Sequence, residues 1–196
     1  MPMDIKNQIR QQKRSLRRQL NAAQQQQASQ ALVSRLNNHP YYQQSNTIAL
    51  YLDNDGEISV TMLAEQAWQN QKKLYLPVLD SETGVSLVFK RWLPTSQFQH
   101  NRFNIPEPVS EEQIDPRALD LVCLPLVAFD ANGGRLGMGG GFYDRTFEFI
   151  TTKTLNKPVL WGMAHECQRV AAVPKESWDI PLSSIVTDQH WYGMDG

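Results

Sequence analysis

The hydrophobic and polar positions follow a helical period first and then alternate in short blocks. Over residues 4–20, at roughly 100° per residue, Ile5, Ile9, Leu16 and Leu20 fall within an arc of about 60°, a narrow apolar stripe. Lys6, Arg10, Lys13, Arg14 and Arg17 fall on an adjoining arc of roughly 100°. The pattern predicts a helix whose apolar edge docks, while its basic edge faces either a shared groove or open solvent. Asn21 is placed to cap a second helix running to residue 38, with Ala28, Leu32 and Leu36 inward and a stop before Pro40. Beyond it the pattern predicts a buried strand over 47–52, a helix over 60–70, and strands over 73–79 and 85–92. A stretch holding Pro94, Pro106, Pro108 and Pro116 then crosses the surface. Residues 119–129 form the most apolar run in the chain, too continuous for a half-exposed strand, and are expected to be a central one. A glycine-rich loop, a helix from about Phe142, a strand over 158–164 and a short strand over 185–187 complete the series. Strand, loop and helix in repetition predict an α/β fold, a layered and largely parallel sheet flanked by helices. With 196 residues, no internal repeat and no linker, one domain over 1–196 is expected.

Composition narrows the picture. Apolar residues make 41% of the chain and charged residues 20%, which excludes a disordered polymer. The net charge of -1 excludes a global attraction to nucleic acid or to an anionic membrane. The sum hides an asymmetry, because the first twenty residues hold six basic side chains against one acid, Asp4. The remainder then has 13 basic against 19 acidic residues, a net -6, so a positive cap sits on a mildly acidic body. Two cysteines, Cys123 and Cys167, in unlike contexts predict neither a disulfide framework nor a zinc site. The apolar runs are too short to span a bilayer and the start of the chain lacks a signal-peptide apolar region. A soluble, cytoplasmic monomer is the expectation.

The sharpest chemistry lies at Phe129-Asp130-Ala131-Asn132-Gly133-Gly134-Arg135-Leu136-Gly137-Met138-Gly139-Gly140-Gly141-Phe142-Tyr143-Asp144. Six glycines in nine positions, between a buried strand and a helix start, let backbone amides approach a phosphate. The P-loop pattern fails because Phe142-Tyr143 stands where Lys-Ser/Thr is required, and the dinucleotide fingerprint fails at Phe142. A plain flexible loop is the bland alternative. Arg135, Tyr143 and Asp144 weigh against it, offering a permanent cation for phosphate oxygens, an aromatic surface and a carboxylate suited to magnesium.

At these residues the chain resembles the 5-formyltetrahydrofolate cyclo-ligase family, whose signature reads Arg-Leu-Gly-x-Gly-x-Gly-[Tyr/Phe]-Tyr-Asp after an apolar strand and Phe-Asp. Lys6-Asn7-Gln8-Ile9-Arg10, Asp55-Gly56-Glu57-Ile58, Phe103-Asn104-Ile105-Pro106-Glu107-Pro108, Glu166-Cys167-Gln168 and Trp178-Asp179-Ile180-Pro181-Leu182 resemble its other segments, in the same order. The resemblance implies the NagB/RpiA/CoA-transferase-like fold. It also implies ATP and Mg²⁺ as co-substrate and cofactor, and conversion of 5-formyltetrahydrofolate to 5,10-methenyltetrahydrofolate. By it, ATP contacts fall to Lys6, Arg10, Arg135, Leu136, Gly137, Met138, Gly139, Gly140, Gly141, Phe142 and Tyr143, with Arg135 and Tyr143 in catalytic roles. The basic helix face would then close over the triphosphate. Folate contacts fall to Leu52, Glu57, Met138 and Phe142, and magnesium to Asp144 and Asp179.

Taken alone, Asp179 reads equally as a turn residue, Asp144 as a helix cap and Glu57 as a surface acid. The chain departs from the pattern at Phe142, where many relatives have tyrosine, at Gly140, basic in some, and at Ser183, an aspartate in some. The implied chemistry is phosphorylation of the formyl oxygen followed by attack of N10, which needs no serine, cysteine or histidine nucleophile. His39, His100, His165 and His190 form no cluster and read as incidental. Three rivals remain: a catalytically weak ATP- and folate-binding protein of the same fold, a nucleic-acid binder using the basic helix, and a sugar-phosphate isomerase. The acidic body offers the second no basic stripe, and the third has no need of ATP.

Overall fold

A computed structural model describes residues 4–151 and 158–193. Helix α1 spans Ile5–Arg18, α2 Ala22–Asn37 and α3 Pro40–Gln44, followed by strand β1, Thr47–Ala49. Helix α4, Thr61–Gln69, leads to β2, Lys73–Leu79, and β3, Leu87–Trp92. A hairpin of β4, Phe98–His100, and β5, Pro106–Pro108, precedes β6, Gln113–Ile114, and β7, Leu121–Pro125. A second hairpin pairs β8, Ala128–Phe129, with β9, Arg135–Leu136. The glycine loop then enters α5, Phe142–Thr146, and β10, Val159–Ala164, β11, Ser184–Thr187, and β12, Trp191–Gly193, complete the chain.

Eight strands form one sheet in the order β12-β11-β10-β7-β1-β2-β3-β6. The five inner strands, β11 to β2, run parallel, and the outer pairings are antiparallel. This is the layered α/β sheet that the alternating pattern predicts. Successive residues point to opposite faces, so each inner strand feeds two cores. Ile48, Leu74, Leu121, Cys123 and Trp161 pack under α2 and α4 through Leu32, Leu36, Leu63 and Ala67. Their neighbours Ala49, Tyr75, Val122, Leu124 and Leu160 pack on the other side against Phe89, Phe147, Ile180 and Leu182.

Local chemistry explains the boundaries. Asn21 caps α2 and forms a full capping box with Gln24, each side chain bonding the other's backbone N–H. Pro40 does not merely end α2; at the first position of α3 it starts a new turn, capped by the His39 ring nitrogen at 3.1 Å from the Tyr41 amide. The apolar run over 119–129 is two strands rather than one. Sheet pairing stops at Pro125, the Leu126 amide bonds the Met163 carbonyl, and the Val127 amide turns to Leu136. Both halves are buried, so hydrophobicity alone does not reveal the break.

Helix α1 overturns the docking edge that the stripe predicts. Ile5 and Leu16 are exposed and Ile9 is half-buried, whereas Lys13 is buried and Arg17 is wholly enclosed. The basic edge docks because the surface beneath it consists of carbonyls and carboxylates at the rim of the sheet. Lys13 donates to the Cys167 carbonyl at 2.9 Å, beyond β10, and Arg17 to the Leu126 carbonyl at 3.2 Å, beyond β7.

Trp161 on β10 is almost fully buried and meets His39 and Trp191 edge-on, each at 4.8 Å between ring centres. Trp161→Ala should therefore destabilise the fold by about 3–5 kcal/mol. Urea unfolding checks this, with the midpoint expected to fall while the slope stays unchanged.

Candidate functional site

The carboxyl ends of the parallel strands line one rim of the sheet. From β1 the chain moves to β2 on one side, and it later returns to β7 on the other, so the strand order switches between β1 and β7. Loops diverging at such a point leave a crevice where α/β proteins bind ligands. Here they are the turn over 53–57, after β1, and the glycine loop, reached through the second hairpin after β7.

The turn is tightly built. Asp55 and Gly56 both take positive φ, +55° and +76°. A Cβ on Gly56 would stand 3.1 Å from the Arg17 carbonyl, so the close approach of α1 leaves little room there for a side chain. The Glu57 amide bonds the Asn54 carbonyl at 3.0 Å and the Asn54 amide donates to Glu57 Oε2 at 3.1 Å. Asp55 gathers three guanidinium groups: Arg14 Nε at 2.7 Å, Arg17 Nη2 at 3.0 Å, and Arg18. Burial alone would raise the Asp55 pKa; hydrogen bonds from Arg14, Arg18 and Arg17 reverse this and hold the carboxyl down at about 2. Glu57, two residues on, behaves oppositely. Burial pushes it up to about 7 against the pull of Arg17, 3.5 Å from Oε1, and of the Asn54 amide, while Asp55 and Asp53 add to the rise.

The glycine loop meets the basic helix directly. Arg10 Nε donates to the Gly137 carbonyl at 2.9 Å, and its guanidinium lies 3.5–3.7 Å from where a Cβ on Gly139 would stand. Gly139 and Gly141 take positive φ, +99° and +64°, and Gly141 is the residue from which α5 starts. Met138 is 56% exposed at the loop's tip, whereas Leu136 is buried against Ala128, Val173 and Ile9, so only its backbone can reach a ligand. The Phe142 ring covers Gly140, where a Cβ would come within 2.5 Å of it, and stands edge-on to Phe103 at 6.1 Å. Tyr143 stacks on Phe147 at 6.4 Å, and its hydroxyl is pushed well above its usual pKa, first by burial and then by nearby Glu57.

Lys6, at the start of α1, pairs with Glu176 at 2.8 Å. Arg135 is almost buried, donates to the Ile180 carbonyl, and pairs through Nη2 with Asp144 Oδ1 at 2.5 Å. Burial lowers its pKa, and the charges of Asp144 and Asp179 oppose that fall. Both predicted magnesium carboxylates thus flank one guanidinium. Asp144 also accepts from the Ile180 amide at 3.3 Å, and Asp179 Oδ2 accepts from the Glu176 amide at 2.8 Å as a turn cap. Among the described residues no group of three or more His, Cys, Asp or Glu gathers as a complete metal set. Two hard carboxylates nevertheless fit Mg²⁺, which takes one or two protein oxygens and fills the rest with phosphate and water.

Leu52 immediately precedes the 53–57 turn. With Thr61, Trp68, Trp92, Phe98 and Pro106 it lines an open groove of about 720 Å³ between α4 and the β4–β5 hairpin. The crevice therefore brings Arg10 to the glycine loop and Tyr143 near Glu57, Lys6 pairs with Glu176, and Arg135, Asp144 and Asp179 gather around Ile180. The sequence reading misses Arg17, Asp55 and Glu176 as site residues, and gives Gln168 no role. Gln168 is fully buried and ties the Leu126 and Val127 carbonyls at 2.6 and 2.9 Å. The signal was present for Arg17, on the basic arc of α1, and for Asp55, in the quoted turn. His165 is buried beside the Gly56 backbone and Arg17, and His190 lies 3.3 Å from Glu166.

The chain is similar to known proteins over nearly its whole length. The family model described as the 5-formyltetrahydrofolate cyclo-ligase family matches residues 2–188. A 5-formyltetrahydrofolate cyclo-ligase of Haemophilus influenzae is 43% identical over 183 residues, covering 92% of this chain and 96% of the relative. One of Escherichia coli K12 is 42% identical over 177 residues, covering 89% and 95%. The solved structure of Aquifex aeolicus 5,10-methenyltetrahydrofolate synthetase superposes with a TM-score of 0.84 at 30% identity, covering 98% of this chain and 95% of that one. The protein from Mycoplasma pneumoniae, at 23% identity and a TM-score of 0.73, shares the fold. With the family model matched over residues 2–188, relatives at 42–43% identity over most of both chains and a shared fold at a TM-score of 0.84, the chain belongs to the 5-formyltetrahydrofolate cyclo-ligase family and is an enzyme of that class.

Proposed function

We propose that the crevice between the ends of β1 and β7 takes ATP and 5-formyltetrahydrofolate side by side and closes the folate to 5,10-methenyltetrahydrofolate, releasing ADP and phosphate. The observation that carries this reading is the bond from Arg10 to the Gly137 carbonyl. It sets the basic edge of α1 against the glycine loop, while the same helix grips the Glu57 turn through Arg17. Phosphate recognition and a buried carboxylate thereby share one rigid support.

In this reading Lys6 and Arg10 neutralise the triphosphate from above, and the amides of residues 137–141 hold it from below. Arg135 faces the transferred group as a fixed cation. Tyr143, beside Glu57, marks the boundary between the two ligands. Leu52, Met138 and Phe142 provide apolar contact for the folate, and Glu57 accepts from donors of its pterin ring.

The formyl oxygen attacks the γ-phosphorus and ADP departs. N10 then attacks the activated formyl carbon, the carbon–oxygen bond breaks with loss of phosphate, and N10 gives up its proton. Positioning and charge neutralisation are the protein's contribution. Asp144 and Asp179 would hold Mg²⁺, which when bound supplies charge neutralisation at the phosphate oxygens. The reading is of a cytoplasmic monomer made of one domain. Cys123 and Cys167, both free thiols, suit a reducing compartment. Among the described residues no helix is long and apolar enough to cross a membrane.

Glu57→Gln replaces an acceptor oxygen with a donor facing the pterin's own donors. The KM for 5-formyltetrahydrofolate should rise by roughly 10- to 100-fold, the loss of one charge-assisted pair. Arg10→Ala should instead raise the KM for ATP by about tenfold and leave the folate KM near wild type. Steady-state kinetics in each substrate separates the two; equal weakening of both ligands by either variant would count against separate subsites.

Asp144→Asn should shift the magnesium requirement to much higher concentration and lower kcat at least about tenfold, roughly 1.4 kcal/mol of barrier. A magnesium titration unchanged from wild type would confine Asp144 to its ion pair with Arg135.

A further inference from the structure

In the reading above Arg17 only ties α1 to the Glu57 turn, yet it is the most completely enclosed charged side chain described, with 0% of it exposed. An arginine is desolvated at such cost only where each of its donors meets an acceptor. Nε donates to the Asp55 carbonyl at 2.8 Å, Nη1 to the Leu126 carbonyl at 3.2 Å, and Nη2 to Asp55 Oδ2 at 3.0 Å. The same Nη2 lies 3.5 Å from Glu57 Oε1. Its acceptors therefore come from two places, the turn that follows β1 and the segment that leaves β7 for the glycine loop.

Asp55 is itself saturated, with Arg14 and Arg18 on its oxygens as well. Arg17 is thus held in place by Asp55 and two carbonyls, not by Glu57. The Glu57 carboxylate is pinned on one side only, where Oε2 accepts from the Asn54 amide. Oε1 faces the guanidinium at the edge of ion-pair range, with capacity left for a further donor.

We infer that Arg17 is a positioning residue for folate, holding the Glu57 carboxylate aimed and ionised while Asp55 keeps the guanidinium in place. This rests on the assignment of Glu57 as a folate contact. The groups facing Glu57 are Arg17 on α1, Asp53 and Asp55 in its own turn, Tyr51 after β1, and Tyr143 on α5. Arg17 is the cation among them, and with the Asn54 amide it favours the charged carboxylate against burial and two acidic neighbours. The signs follow. Without Arg17 the carboxylate ionises at higher pH. Without the negative charge of Asp55 it ionises at lower pH.

The test is the pH dependence of kcat/KM for 5-formyltetrahydrofolate at saturating ATP and Mg²⁺, between about pH 6 and 9, for the full chain. Arg17→Met should move the inflection upward from its wild-type position and raise the folate KM at neutral pH about tenfold. The KM for ATP and kcat at saturating folate should stay within about threefold. Asp55→Asn should move the inflection the other way. Added to Glu57→Gln, Arg17→Met should cost no more than about twofold further, because both act through one carboxylate.

Additive losses in the double variant, or shifts of the two single variants in the same direction, would overturn the inference and leave the Glu57 assignment standing. A Glu57→Gln enzyme with wild-type folate kinetics would sink the assignment and the inference together. Should Arg17→Met fail to fold, Arg17→Lys decides: it keeps a cation but loses the fork that bonds Asp55 and Leu126, so a raised folate KM with an unchanged KM for ATP supports the positioning role, and an unmoved folate KM contradicts it.

Discussion

The architecture of the crevice depends on one desolvated guanidinium. Arg17 joins α1 to the ends of two adjacent parallel strands, bonding Asp55 after β1 and Leu126 after β7. With that clamp closed, the first turns of the same helix can only lie over the glycine loop, where Arg10 reaches Gly137. Lys13, on the Cys167 carbonyl beyond β10, adds a third strand end. A helix held by polar bonds to three loop backbones is set by geometry rather than by greasy contact, and Ile5 and Leu16 accordingly remain exposed.

Electrostatics divides the crevice. Above it, Asp55 is driven far into its charged form by three arginines, so it serves as an anchor with no proton to exchange near neutrality. Glu57, two residues on, is pushed up to about 7 because burial, helped by acidic neighbours, outweighs Arg17 and the Asn54 amide. One turn thus holds a carboxylate saturated with partners and another with capacity to spare, a division typical of a structural support beside a ligand contact. On the glycine-loop side, Arg135 is buried between Asp144 and Asp179, the positive centre of an otherwise negative pair. A triphosphate and a divalent cation, of opposite sign, would meet complementary charge in that arrangement.

Much of this was legible in the sequence, and what was not has physical causes. Strand β2 begins and ends where alternation and turn residues put it, and Asn21 announces α2. The inner parallel strands were legible as elements because burial on both faces leaves a continuous apolar signal, though β1 ends at Ala49 rather than at residue 52. The stripe on α1 misled because hydrophobicity says nothing of a carbonyl-lined surface, where arginine is the better partner. The run over 119–129 hid its break at Pro125 because both halves are buried. Strands β4, β5, β6 and β12 are two or three residues each, and their pairing is set by distant neighbours such as Glu107, which accepts from the Leu79 amide at 2.9 Å. The motif residues pointed to the crevice; Arg17 and Glu176 did not stand out because a basic or acidic residue on a polar helix or loop resembles solvated surface until its partners are known.

The central claim is that ATP and the folate meet in one crevice and react there. Appearance of the methenyl product's absorbance, with purified protein and each component omitted in turn, tests it most directly. The account predicts product only when ATP, Mg²⁺ and 5-formyltetrahydrofolate are present together, with ADP formed in equal amount. Product formed without ATP, or ADP released at the same rate without the folate, would contradict it.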